Sequence, residues 1–74
     1  MTTPYGVVLV HTSAAAIRAE KLLHQAGLTV KLIPVPRQFS SDCGLAVRFP
    51  WEARETVERT LHEGRLEIAA IHRL

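Results

Sequence analysis

At 74 residues the chain has the length of one domain, and folding removes only about 60% of the unfolded surface of so short a chain from water, so its core must be small. With 47% hydrophobic and 22% charged residues it is expected to fold as a soluble globular protein, and no apolar run approaches the ~20 residues of a membrane span. The net charge of +2 comes from nine basic residues scattered among seven acidic ones, and Tyr5, Phe39, Phe49 and Trp51 are not interleaved with the basic residues, which argues against a nucleic-acid surface.

Met1 to Tyr5 lacks the positive n-region and long apolar stretch of a signal peptide, so a reducing cytoplasm is the expected compartment. Tyr5 to Val10 is a bounded, valine-rich run that suits a buried strand. His11-Thr12-Ser13 supplies hydroxyls for a helix start near Ser13, and Ala14 to Ala26 continues as a helix with Ala15, Ala19, Leu22, Leu23 and Ala26 on one stripe. Gly27 falls where a left-handed residue ends the helix, and Leu28 to Leu32 alternates as a second strand that must end at Pro34 and Pro36.

A connection through Arg37, Gln38, Phe39, Ser40, Ser41 and Asp42 then leads to Cys43, and it is long enough to suggest a functional loop. Leu45 to Phe49 alternates as a third strand, and Pro50-Trp51-Glu52 opens a helix that runs to about His62 and ends at Gly64. Leu66 to His72 reads as a fourth strand, with Leu66, Ile68 and Ala70 on one face.

The order βαββαβ predicts a single α+β domain over residues 1–74 with the ferredoxin-like topology. That topology is a four-stranded antiparallel sheet in the order 4-1-3-2, with both helices on one face and the other face free. The expected core includes Ala19, Leu22, Leu23, Val30, Leu32, Val47, Val57, Leu61 and Ile68. A lone cysteine can form neither an intramolecular disulfide nor a Cys-rich zinc site, which leaves self-association, a homodimer for instance, as the remaining prop for a core this small.

In the 4-1-3-2 order the start of strand three lies against the end of strand one, which brings Cys43 toward His11, Thr12 and Ser13. The N-terminus of the first helix, with its unsatisfied N–H groups and positive dipole end, sits at the same corner and would stabilise a thiolate. Gly44 lets the backbone turn and exposes an N–H, and Arg37 offers a mobile positive charge in the loop, so the Cys43 thiol is expected below the roughly 8.5 of a free cysteine.

Against this stands the commoner role of a lone cysteine as a small buried hydrophobe; its place at the end of a Pro- and Ser-rich loop tips the reading toward reactivity. His11 reads equally as a strand-end residue and as a base or cation for Cys43, whereas His24, His62 and His72 read as surface residues. Ser13 is accounted for as a helix cap and Trp51 chiefly by packing; no His/Cys spacing resembles a metal motif.

Val10-His11-Thr12-Ser13 leading into Ala19-Glu20-Lys21-Leu22-Leu23, then Pro34-Val35-Pro36-Arg37, and above all Ser41-Asp42-Cys43-Gly44-Leu45 resemble the selenium/sulfur carrier protein-like family of short bacterial domains. The resemblance covers most of the chain. It implies that Cys43 accepts sulfur or selenium as a persulfide or selenopersulfide from a donor such as a cysteine desulfurase and passes it to an acceptor protein. Arg37 would then be a gate or counter-ion, and the cargo would be carried covalently with no cofactor or metal. The alternatives from other classes are a protein-interaction or regulatory module with an unreactive Cys43, and a thiol redox sensor that forms an intermolecular disulfide.

Overall fold

The computed structural model describes residues 4–39 and 44–74. Its elements follow the expected order: β1 (Tyr5–Leu9), α1 (Ser13–Gln25), β2 (Lys31–Pro34), β3 (Leu45–Pro50), a 3₁₀ turn (Trp51–Ala53), α2 (Arg54–Glu63) and β4 (Ala70–Arg73). The strands form one antiparallel sheet in the order β2-β3-β1-β4, the ferredoxin-like α+β arrangement.

β1 lies in the centre of the sheet. Val8 and Val10 face the helices, Val7 and Leu9 face the other way, and all four are essentially inaccessible. A strand buried on both faces explains why this segment is a continuous apolar run without alternation. On the helical side Val8, Val10, Val47 and Phe49 meet Ala16, Ala19 and Leu23 of α1 and Val57 and Leu61 of α2. Each larger side chain buried here stabilises the fold by about 1.5–3 kcal/mol. Leu22, Leu32 and Ile68 of the expected core are partly buried against this cluster; Ala26, placed on the stripe by its spacing, is exposed and caps the helix end.

The opposite face is not free. Val7, Leu9 and Ala46 form a second cluster, covered by Ile33, Val35, Phe39 and Ala70. Phe39 stacks on His72 with ring centroids 4.2 Å apart and planes 7° apart. Since β2 and β4 are opposite edges, the chain leaving β2 crosses the sheet to reach β4, about 14 Å at the usual strand spacing. The alternation rule assigns sides to strand residues but is silent on what a connecting loop does, so this cover was not expected.

Two strands are shorter or shifted relative to their sequence patterns. β2 starts at Lys31 and includes Pro34, paired with Leu45. This edge strand tolerates proline because Leu32 and Pro34 point away from β3: the outward N–H of Leu32 donates to Glu20 Oε2 at 3.1 Å, and Pro34 has no N–H to leave unpaired. β4 starts only at Ala70, although Leu66 and Ile68 before it still pack on the core.

Both helices close with the same two hydrogen bonds, Leu28 N–H to Leu23 C=O and Gly27 N–H to His24 C=O after α1, and Leu66 N–H to Leu61 C=O and Arg65 N–H to His62 C=O after α2. The left-handed position is Gly27 in the first, as expected, but Arg65 in the second, at φ 56°. Gly64 is the residue before it; a Cβ there would lie 2.8 Å from Leu22, so this glycine serves the close approach of α1 and α2.

Candidate functional site

β2 and β3 are joined beyond their paired residues by the hydrogen bond from Val35 N–H to Gly44 C=O, 3.0 Å, the neck of the connection between them. Gly44 is exposed with φ +73°, a left-handed conformation that costs a residue with a side chain roughly 1–2 kcal/mol. A Cβ at Gly44 would meet none of the described residues within 4 Å, so among them the demand for glycine is conformational. The β1–β3 pairing ends at Leu9 opposite Ala46; carried two residues further, the same register sets Gly44 level with His11. Val10, His11 and Thr12 are the link from β1 into α1, so the entry to β3 and the N-terminus of α1 share one end of the sheet.

Thr12, not Ser13, caps α1: its Oγ1 accepts from Ala15 N–H at 3.0 Å, while its carbonyl accepts from Ala16 N–H. Ser13 is therefore the first helical residue. Adjacent hydroxyls made the two positions indistinguishable in the sequence, and the extended backbone at Thr12 (φ −139°, ψ 156°) decides between them. His11 is exposed, with Nε2 3.6 Å from Glu67 Oε1 of the α2–β4 connection, a pairing of two solvent-exposed groups worth little to stability. Glu67 was not singled out from the sequence, which gives no sign that this connection returns to the end of β1.

Arg37 is exposed at the apex of a turn closed by Phe39 N–H to Pro36 C=O, 3.0 Å. The turn belongs to the segment lying over the sheet face opposite the helices, held at Val35 and Phe39. Arg37 is thus on one side of the sheet and Ser13 on the helical side, with the strand ends carrying His11 and Gly44 between them. His72, read as a surface residue, is half-buried as the platform for Phe39. Cys43, with Ser40, Ser41 and Asp42, lies outside the described residues; the fold fixes the place of Gly44, its covalent neighbour.

His24 is tied by Nε2 to Val30 C=O at 2.9 Å, an anchor between the end of α1 and the approach to β2. Among the described residues no three His, Cys, Asp or Glu side chains are grouped to hold a metal ion, and no helix is long and apolar enough to cross a membrane.

The fold and this corner together define a small ferredoxin-like α+β domain whose single cysteine is followed in the sequence by a glycine held in a left-handed conformation at the entry to β3. The family model described as "Putative Se/S carrier protein-like" matches residues 5–73, and the chain belongs to that family. No curated protein and no solved structure matches the chain.

Proposed function

We propose that this protein is a sulfur or selenium carrier with Cys43 as the carrying residue. The observation that carries the reading is family membership across residues 5–73, a span that includes the Cys43-Gly44 pair. In the loading step the Cys43 thiolate attacks the outer sulfur of a donor persulfide, R–S–SH. The S–S bond of the donor breaks, the donor leaves as R–S⁻, and Cys43 becomes Cys–S–SH; attack on the same outer sulfur by an acceptor nucleophile returns Cys43 to the thiolate. No external oxidant or reductant is consumed. With selenium the outer atom is selenium and the exchange is otherwise the same.

The surroundings support such an exchange. A persulfide is more acidic than its parent thiol and is anionic at neutral pH, and the described residues nearest to Cys43 in the fold or the sequence would favour an anion: the N-terminus of α1 at the end of the sheet where Gly44 lies, the exposed Gly44 itself, and Arg37 in the same connection. Ser13 as the first residue of α1 and His11 at the end of β1 are the polar residues of that corner. The donor would be a cysteine desulfurase or similar persulfide-forming enzyme. Gly44 is exposed, and an exposed neighbour suits attack by protein-bound sulfur.

The test is intact mass after incubation with a desulfurase and cysteine, beside the rate of alkylation against pH. Wild type should gain one sulfur, Cys43→Ser none, and Arg37→Ala should alkylate more slowly near neutral pH. A thiol that resists alkylation until the protein unfolds and never gains mass would leave an interaction module with an unreactive cysteine as the better account. A disulfide-linked dimer in place of loading would indicate a redox sensor.

A further inference from the structure

At the end of the sheet away from the Cys43 loop, Tyr5, Thr29, Val30, Lys31, Arg48 and Pro50 line a depression of about 250 Å³. It opens on the face opposite the helices, where Tyr5, Lys31, Arg48 and Pro50 share a side by register. Lys31 and Arg48 are direct cross-strand partners, an arrangement in which two like charges stand about 5 Å apart at their Cβ atoms and destabilise the sheet. Neither makes an ion pair among the described residues. The Arg48 guanidinium instead rests over the Tyr5 ring, 4.4 Å from its centroid.

The surrounding charge is distributed to match. None of the four strands contains an acidic residue; Glu20, Glu52, Glu55, Glu58, Glu63 and Glu67 belong to the helices, the 3₁₀ turn or the α2–β4 connection, and the seventh acidic residue, Asp42, lies outside the described residues. A cationic pair opposed across a strand, with no ion pair among the described residues and the nearby Glu20 carboxylate engaged by the Leu32 N–H, and set in a concave site with apolar walls at Val30 and Pro50, costs the free protein stability that an anion would restore. Arg48 is half-buried and prepositioned on Tyr5, which limits the side-chain freedom it would lose on binding.

We propose that this depression is a binding site for a small phosphate-bearing ligand, gripped by the Arg48 guanidinium and the Lys31 ammonium, with the Tyr5 and Thr29 hydroxyls as further donors on its wall. The planar guanidinium matches two phosphate oxygens at once, and a second cation beside it suits a dianion better than a single carboxylate. The site lies about 14 Å along β3 from Gly44, so it goes beyond the carrier reading and stands whether or not Cys43 carries sulfur.

Amide chemical shifts of the isotope-labelled protein would be followed at constant ionic strength during titration with inorganic phosphate, with glycerol phosphate as a monoester, and with acetate. The expected result is saturable shifts centred on Tyr5, Lys31 and Arg48 with both phosphates and none with acetate; tighter binding of one phosphate assigns free phosphate or an ester as the ligand. Lys31→Gln and Arg48→Gln should each weaken binding by about tenfold or more. Lys31→Glu gives the decisive signature, because it supplies Arg48 with an opposite charge: this variant should melt higher than wild type and bind no phosphate. Shifts that do not saturate, or that spread equally over Arg59, Arg65 and Arg73, would overturn the proposal. So would saturable binding of an acidic peptide or an RNA oligonucleotide at these residues with no binding of either phosphate.

Discussion

Gly6 shows at the scale of one residue how β1 is fitted to its neighbours. Its backbone is ordinary strand, but a Cβ built there would fall 2.6 Å from both Phe49 Cζ and Trp51 Cε3, whose rings stack at a centroid distance of 6.1 Å. The two aromatic side chains occupy the space a side chain at position 6 would need. Gly6→Ala is therefore expected to destabilise the protein by about 1–2 kcal/mol, the cost of overpacking less the gain from a stiffer unfolded chain. For a domain of this size the melting temperature should fall by roughly 5–10 °C, and calorimetry checks it. An unchanged melting temperature would mean that Trp51 swings aside at no cost and does not hold the start of α2. Gly44 differs in kind: it is glycine because of its φ, and no described residue stands where a side chain would go.

At the scale of elements the β2–β3 connection is the least ordinary part of the fold. It acts as a strap, with Val35 bonded to Gly44 at its neck and Phe39 stacked on His72 across the sheet. Phe39 covers Val7, Leu9 and Ala46, which would otherwise face water. Phe39→Ala should cost about 2 kcal/mol, below the range for a fully buried phenylalanine because the ring is only half-buried. Hydrogen exchange at the Val35 amide should quicken by more than that global loss predicts, since the strap is released before the sheet melts. Equal acceleration at Val35 and at Val8 would show that the strap and the sheet open as one unit.

At the scale of the whole molecule, a small core and an absent disulfide make association with a second copy the expected support, and the structure narrows where it can occur. The face opposite the helices is partly covered by the strap, and the β2 edge is guarded by Glu20 and Pro34. β4 is the other edge, with the backbone groups of Ile71 and Arg73 turned away from β1. Self-association is therefore proposed to run along β4. Sedimentation velocity at micromolar concentration should show a dimer, and Arg73→Pro should weaken it by about tenfold while leaving the β1–β4 ladder intact, because proline removes only an outward N–H. A dimer unaffected by Arg73→Pro would place the contact elsewhere; a strictly monomeric protein would show that the two apolar layers suffice.

The sequence by itself determined the βαββαβ order, the 4-1-3-2 arrangement, most of the helix-side core and the placing of the start of β3 against the end of β1. These follow from local periodicity, from glycine and proline at element ends, and from the few ways two strand–helix–strand units can share a sheet. Only the tertiary structure decided that Thr12 caps α1, that Arg65 takes the left-handed place after Gly64, and that Pro34 belongs to β2, since each depends on the direction of particular backbone groups. It alone decided that Phe39 crosses the sheet to His72 and that Lys31 stands opposite Arg48. Such pairings join residues far apart in the chain, and their energies come from surfaces that exist only once the sheet has formed. Periodicity assigns a residue to a face; it cannot name the residue that will meet it there.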